Sequence, residues 1–156
     1  MSEIMTFAIN LEHISDITHR NVQESLARKS EQNLSFSSEG DVDIRDFFRM
    51  TLSNLQLALA VFLSEDIKLA RQLVSEKVRI RQLEFDATRA HLARLRAGRR
   101  ESIESSSVHL DLLRDLKRIN AHLSSVAYPL LEQQGELNAS RLRQWVEPAV
   151  VEAKGH

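Results

Sequence analysis

Apolar side chains recur every three or four residues along the stretch from His109 to Leu131, which reads HLDLLRDLKRINAHLSSVAYPLL. They fall on one side of a helix that turns about 100° per residue, at Leu112, Leu116, Ile119, Leu123, Val126 and Leu130. Because one amphipathic helix of this length is only marginally stable alone, the stretch must pack against partner helices.

Three further segments show the same periodicity and predict those partners. The first helix runs from about Ser2 to Leu34, and we expect its buried face to carry Phe7, Leu11, Ile14, Val22 and Leu26. A Ser-rich turn follows, in which Ser38 is suited to cap the second helix. The second helix extends from about Glu39 to Leu63 and has the widest apolar face, so we expect it to be the most buried. Its apolar positions include Ile44, Phe47, Phe48, Leu52, Leu55, Leu57, Leu59, Val61 and Phe62.

The third predicted helix, about Ile67 to Arg96, has two apolar rows, one of which contains Phe85. We expect this phenylalanine, like Phe47, Phe48 and Phe62, to lie in the core. Gly98 follows the third helix as an expected stop. The fourth begins near Ser102 and is expected to kink or end at Tyr128-Pro129.

Four long helices with short connections predict an all-α fold, an up-down-up-down bundle of antiparallel neighbours. The bundle domain is expected to cover residues 1–135. We expect residues 136–156 to form a C-terminal tail, helical from about Ser140 to Glu147, with Leu142, Trp145 and Val146 as its docking side and a frayed end.

The amino-acid composition excludes several kinds of site and partner. It has no cysteine, which excludes disulfides and thiolate sites. The formal net charge of -1 gives no reason to expect a nucleic acid partner. The most apolar run, Leu55 to Leu63, is much shorter than the roughly 20 residues that cross a bilayer.

Two stretches, LRDLKRINAHLSSVAYPLL and RAHLARLRAG followed by ESIESSSVHLDLLRDL, resemble the C-terminal PhoU-like domain of sodium/phosphate cotransporter (NptA-type) proteins. The LEHISD segment of the first helix resembles the LERIGD motif of PhoU proteins. The similarity extends through roughly residues 7–131. It implies a regulator rather than an enzyme: a cytoplasmic domain at the inner face of the membrane that modulates sodium-dependent phosphate uptake through helix-bundle docking.

The resemblance also implies partners. The membrane transporter domain is expected in the same native polypeptide, N-terminal to this bundle. The family has two helices before the first helix found here, and the apolar surface left by their absence favours a homodimer. The alternatives are a free-standing PhoU-like metal-binding regulator of phosphate signalling and a histidine phosphotransfer bundle using His13, His19, His91 or His122. A di-iron enzyme is disfavoured because no Glu-x-x-His occurs.

PhoU proteins bind metal clusters through a Glu/Asp-x-x-x-Asp motif, which Glu12 and Asp16 match, with His19 one turn further as a weaker ligand. The resemblance therefore implies a divalent or iron-type metal ion there, against the alternative of a solvated acidic flank. The second copy of the motif falls at Lys117 and Ala121, which cannot bind a cation.

Other charged residues suggest two further sites. His91 and Arg94 match an HLxRL stretch of the resembled domain and, with Arg99, Arg100 and His109, predict a small basic pocket for phosphate or another anion. The competing interpretation is charge complementarity at a helix C-terminus plus surface solvation. Asp111, Asp115 and His122 form a second metal candidate, against an exposed charged face in which Arg118 pairs with the aspartates. Asn120, at the edge of the apolar face, is expected to fix helix register or bond a buried carbonyl.

Overall fold

The computed structural model describes residues 2–135, which form an all-α bundle. The long helices are α3 (Ser38–Ser64), α4 (Ile67–Arg96), α6 (Ser106–Ser124) and a first helix made of α1 (Glu3–Asp16), a π-helical turn (Ile17–Val22) and α2 (Gln23–Glu31). Three short helical elements complete the bundle: α5 (Arg100–Glu104), a 3₁₀ turn (Ser125–Ala127) and α7 (Tyr128–Gln133). The four-helix prediction is confirmed, whereas the predicted tail lies outside the described residues.

The core lies among α3, α4 and α6, and the first helix packs along α6. Ten of the nineteen residues of α6 are buried, compared with seven of the twenty-seven residues of α3. The expectation that the second helix is the most buried was therefore wrong. The reason is that α6 has neighbours on three sides, whereas the back of α3 has none among the described residues and leaves Leu52 61 % exposed.

A buried polar network joins α3 to α6. The Asn120 amide nitrogen donates to Thr51 Oγ1 and to the Leu116 carbonyl, both at 2.8 Å, and its oxygen accepts a 2.9 Å bond from Asn54. The side chain of Asn120 thus uses both donors and its acceptor in a core where an unpaired amide would be costly. The predicted role of Asn120 in helix register is confirmed.

The helix ends differ from the predicted ends by a few residues. Ser37, not Ser38, caps α3, because its hydroxyl accepts the Gly40 amide at 3.1 Å. The fourth helix begins only at Ser106, since residues 100–104 form the separate α5. Gly98 does follow α4 with a φ of 71°, a left-handed conformation that favours glycine.

The π-helical turn changes which residues of the first helix face the core. Ile17 and Val22 are both buried, five residues apart, which is the spacing of a π turn. The extra residue rotates the following segment, so Ser25 becomes buried and Leu26 becomes exposed. The predicted positions of Leu11 and Leu26 in the core were wrong, and Leu11 also lies on the surface.

One apolar row of α4 faces away from the core. Val78, Phe85 and Leu92 are spaced seven residues apart, about half a turn round the helix from Leu73, Ile80 and Ala87. Phe85 is 56 % exposed, so its predicted core position was wrong. On the back of α3, Leu52, Leu59 and Leu63 form a similar exposed row. The periodicity of both rows was correct, but no described element covers them.

Helix α3 is also long and apolar enough to span a membrane, judged by length and composition alone. Core helices of helical bundles meet the same criterion, and α3 packs Ile44, Phe47 and Ala58 against the other helices.

The Asn120 network predicts a double-mutant result. Asn120→Ala leaves Thr51 and Asn54 without their buried partner, so we expect a loss of about 2–4 kcal/mol in the free energy of unfolding, measured by urea denaturation. Asn120→Ala combined with Asn54→Ala should cost less than the sum of the single changes. Additive losses would contradict energetic coupling across α3 and α6.

Candidate functional site

A cluster of buried polar side chains lies at the end of the bundle where α3 begins, α4 ends and α6 begins. His91 of α4 and His109 of α6 stack with ring centroids 4.4 Å apart and planes 8° apart, and each is only 1 % exposed. His91 Nε2 lies 2.9 Å from Ser106 Oγ, and Phe36 meets the His109 ring edge-on. The imidazoles therefore connect α4, α6 and the segment before α3.

Gly40 lets the first turn of α3 approach this cluster closely. A Cβ atom added there would lie 3.1 Å from Ser37 Oγ, 3.2 Å from His109 Cε1 and 3.3 Å from Arg94 Nη2. Such distances are tighter than ordinary carbon contacts. The small residue therefore allows the imidazole and the guanidinium to reach the positive N-terminal end of a long helix.

Arg94 and Asp43 form a loose pair beside the histidines. Arg94 Nη2 is 3.6 Å from Asp43 Oδ2, too long for a hydrogen bond, and the Arg94 side chain is only 11 % exposed. Within residues 2–135, six buried side-chain nitrogen or oxygen atoms lack a hydrogen-bond partner. Five of the six belong to this end of the bundle: Asp43 Oδ2, Arg94 Nε, Arg94 Nη2, Ser102 Oγ and His109 Nε2.

Burial controls ionisation in the cluster. It lowers the pKa of His109 to about 4, with help from nearby His91 and Arg94, and it lowers the pKa of His91 in the same direction. Burial also raises the pKa of Asp43, although Arg94 opposes that shift. At the rim, the pKa of exposed Glu39 falls to about 2, first through a backbone hydrogen bond at the start of α3 and then through Arg99. The exposed rim thus stabilises the Glu39 carboxylate, whereas burial disfavours the charged forms of Asp43, His91 and His109.

The structure brings together three of the five residues predicted for an anion site, and anion binding by them stays a prediction. His91, Arg94 and His109 lie together, but they are buried, so the surface-solvation alternative was wrong for them. Arg99 instead pairs with Glu39 at 3.3 Å, and Arg100 pairs with Glu104 at 2.7 Å.

The sequence analysis did not identify three polar residues of this cluster, Ser37, Asp43 and Ser102, or the close approach of its side chains to Gly40. The SSEGD segment that contains two of them was interpreted only as a helix cap. The serine and glycine at the start of a long helix were the available signal.

The residues of the predicted metal site do not form a cluster. Glu12, Asp16 and His19 are all exposed, and Asp16 lies 3.9 Å from Arg20. Across the described part of the chain, no group of three or more carboxylate or imidazole side chains is arranged to hold a metal ion. Lys117, in the second copy of the motif, pairs with Glu84 at 3.0 Å. The metal at Glu12 and Asp16 stays a prediction, and the residues present do not fit a multinuclear site.

The other acidic candidate is an ion-pair network. Arg114 and Arg118 both contact Asp115, at 3.2 and 3.3 Å, and Arg28 contacts Asp111 at 2.7 Å. The predicted pairing of Arg118 is confirmed, but Asp115 is 0 % exposed, so the expectation of an open charged face was wrong for it. His122 instead lies 3.0 Å from Asn10.

The low pKa of His109 predicts acid sensitivity. An unfolded histidine binds a proton near pH 6.5, whereas folded His109 stays neutral until about pH 4. The unfolded state therefore binds more protons in this window, and stability, complete above about pH 6.5, falls as the pH drops toward 4. Urea denaturation should show a shallower loss for His109→Gln than for the unmodified protein. The exposed His19→Gln control should keep the original slope, and equal slopes in all three proteins would contradict this role of His109.

The geometry at Glu12 and Asp16 predicts weak, nonspecific metal effects. Two exposed carboxylates beside Arg20 lack the ligand count of a strong site. We expect Mn²⁺ or Fe²⁺ to change the melting temperature equally in the unmodified protein and in Asp16→Ala. A metal-dependent rise that Asp16→Ala abolishes would instead establish the site.

Comparison of the sequence with known proteins identifies the family of this chain. The PhoU domain family model matches residues 44–129. The chain is 43 % identical over 132 residues to a Salmonella typhimurium protein and 40 % identical over 135 residues to an Escherichia coli K12 protein, each named "Putative inorganic phosphate export protein YjbB". The matches cover 85 and 86 % of this chain, which spans only about a quarter of the length of these relatives (24 and 25 %). No solved structure matches it significantly. The chain belongs to the PhoU domain family.

Proposed function

We propose that this bundle is the regulatory domain of a sodium-dependent phosphate transporter and that it modulates phosphate movement by docking rather than by catalysis. The observation that carries the proposal is the 43 % identity over 132 residues to a protein whose name concerns phosphate export. The PhoU match supports the same role in phosphate transport regulation. The proposed setting is the cytoplasmic face of the membrane, with the transporter in the same native polypeptide and no nucleic acid partner.

The proposed docking surface is the exposed row of Val78, Phe85 and Leu92 on α4, and Leu52, Leu59 and Leu63 form a second, separate exposed row on α3. Apolar residues that recur every seven positions, as on α4, or at steps of seven and four, as on α3, can pack against another helix. Such exposed apolar rows are typical of interaction surfaces. A homodimer through the same rows is the second arrangement that this surface supports.

A free-standing PhoU-like regulator of phosphate signalling is the main alternative, and the family match supports it equally. The histidine phosphotransfer alternative is less favoured. His91 is 1 % exposed and so is poorly placed to accept a phosphoryl group from a kinase. His122 is partly buried against Asn10, which leaves His13 and His19 as the exposed candidates named from the sequence.

The test measures radiolabelled phosphate flux in cells of the native source. Both uptake and efflux are followed, because the resemblance implies uptake whereas the relatives are named for export. Deleting the segment that encodes the bundle should change one of the two rates at least severalfold. Phe85→Glu should reproduce the change, since a charge in the centre of the α4 row prevents apolar docking.

Ala90→Glu is the matched control. It introduces the same residue at an exposed position of α4 that lies away from the Phe85 row. Unchanged uptake and efflux after deletion would overturn the transporter role and favour the free-standing regulator. If Ala90→Glu acts as strongly as Phe85→Glu, the α4 row is not the docking surface.

A further inference from the structure

We propose that the buried end of the bundle binds a free hydrogen phosphate ion, held between Arg94, His109 and Asp43 at the start of α3. The inference rests on the proposed role in phosphate transport and adds the signal to which the domain responds. It would make the bundle a phosphate sensor as well as a docking element.

The Arg94 side chain presents the donor geometry that an oxyanion requires. Its unpartnered atoms, Nε and Nη2, form one edge of the guanidinium, which donates two parallel hydrogen bonds to phosphate or carboxylate oxygens. A guanidinium with an 11 % exposed side chain has lost most of its hydration, so leaving this edge unused is costly. The adjacent Asp43 carboxylate forms only a loose ion pair with this edge, since Asp43 Oδ2 lies 3.6 Å from Arg94 Nη2, too far for a hydrogen bond.

The surroundings of this edge also favour an anion. His109 Nε2 is a second unpartnered buried atom, and the His109 ring and Arg94 Nη2 converge on Gly40 in the first turn of α3. That turn is the positive end of a 27-residue helix, the kind of site where phosphate groups bind.

Asp43 makes the site selective for an anion that carries a proton. Its unpartnered Oδ2 accepts a hydrogen bond, which HPO₄²⁻ and H₂PO₄⁻ can donate and which sulfate at neutral pH cannot. Sulfate carries no proton at this pH, so its oxygen would face the Asp43 oxygen without a hydrogen bond between them. The Arg94 edge, which donates hydrogen bonds, and Asp43 Oδ2, which accepts one, together distinguish phosphate from sulfate, an anion of similar shape.

Binding would couple the ends of three helices. Asp43 and Gly40 belong to α3, Arg94 to α4 and His109 to α6, so one ion would add hydrogen bonds between elements that already meet here through ring stacking and a loose ion pair. The ion would enter beside Asp43, whose side chain is 28 % exposed, and would separate Asp43 from Arg94. A bound ion would thus link the starts of α3 and α6 to the end of α4, the helix that carries the proposed docking row.

The test is calorimetric titration of the full 156-residue chain with sodium phosphate and sodium sulfate, in chloride buffer at pH 7. We expect phosphate to bind at least about tenfold more tightly than sulfate, the effect of one hydrogen bond to a charged group. Asp43→Asn should abolish this preference, because the amide can donate to sulfate. Arg94→Gln should weaken both anions at least about tenfold, whereas exposed Arg96→Gln, in the same last turn of α4, should change neither.

Three results would overturn the proposal: no phosphate binding by the unmodified chain, equal affinity for phosphate and sulfate, or binding that survives Arg94→Gln. Glycerol 3-phosphate is titrated in parallel, and if it binds as tightly as phosphate the ligand is a phosphomonoester rather than the free ion. The Gly40 amide resonance of the ¹⁵N-labelled unmodified protein should shift on phosphate addition, a readout that does not depend on any variant folding. Failure here leaves the transport assay intact, because deletion of the bundle tests regulation without reference to its signal.

Discussion

The amide of Asn120 sets the register between α3 and α6, and the geometry at the end of the bundle depends on that register. Asn120 contacts Thr51 on α3, while eleven residues earlier on each helix His109 faces Gly40. Eleven residues are about three turns, and the two helices run in the same direction, so one pairing implies the other. A one-residue slip at the buried network would move Gly40 away from the imidazole and place a larger side chain there. The polar core and the candidate site are thus two consequences of one alignment.

The bundle places its unsatisfied polar groups and its uncovered apolar groups in different regions. Five of the six buried side-chain nitrogen and oxygen atoms without a hydrogen-bond partner in residues 2–135 lie at one end, where α3, α4 and α6 meet. Exposed leucine, valine and phenylalanine side chains run along the backs of α3 and α4. Helix α4 belongs to both regions, since Arg94 and His91 lie in its last turns and Phe85 lies nearer its middle. A rigid helix that touches both regions offers a direct physical route between a bound ion and a docked partner.

Family resemblance and residue chemistry lead to different conclusions about ions. The resemblance implied a metal cluster on acidic motifs, but only one copy of the motif keeps its carboxylates, and those are exposed without a third ligand among the described residues. The second copy carries a lysine that is occupied by Glu84. The buried chemistry of this chain is instead rich in hydrogen-bond donors, which suits an anion. The PhoU fold is shared, whereas the chemistry at its ends and faces belongs to the individual sequence.

Periodicity, capping residues and glycine stops in the sequence alone determined the all-α class, the four long helices and the bounds of α4, because these are local properties of the chain. The HLxRL stretch likewise pointed to His91 and Arg94. Burial was decided only by the tertiary structure: a helical row of apolar residues shows that two faces differ, not which neighbour covers them. Phe85 is exposed because no described element covers its row. The Asp115 carboxylate can be buried because Arg114 and Arg118 pair with it. The meeting of Asp43, Arg94 and His109 depends on contacts between distant residues, such as Gly40 and His109, 69 positions apart, which no local pattern of residues encodes.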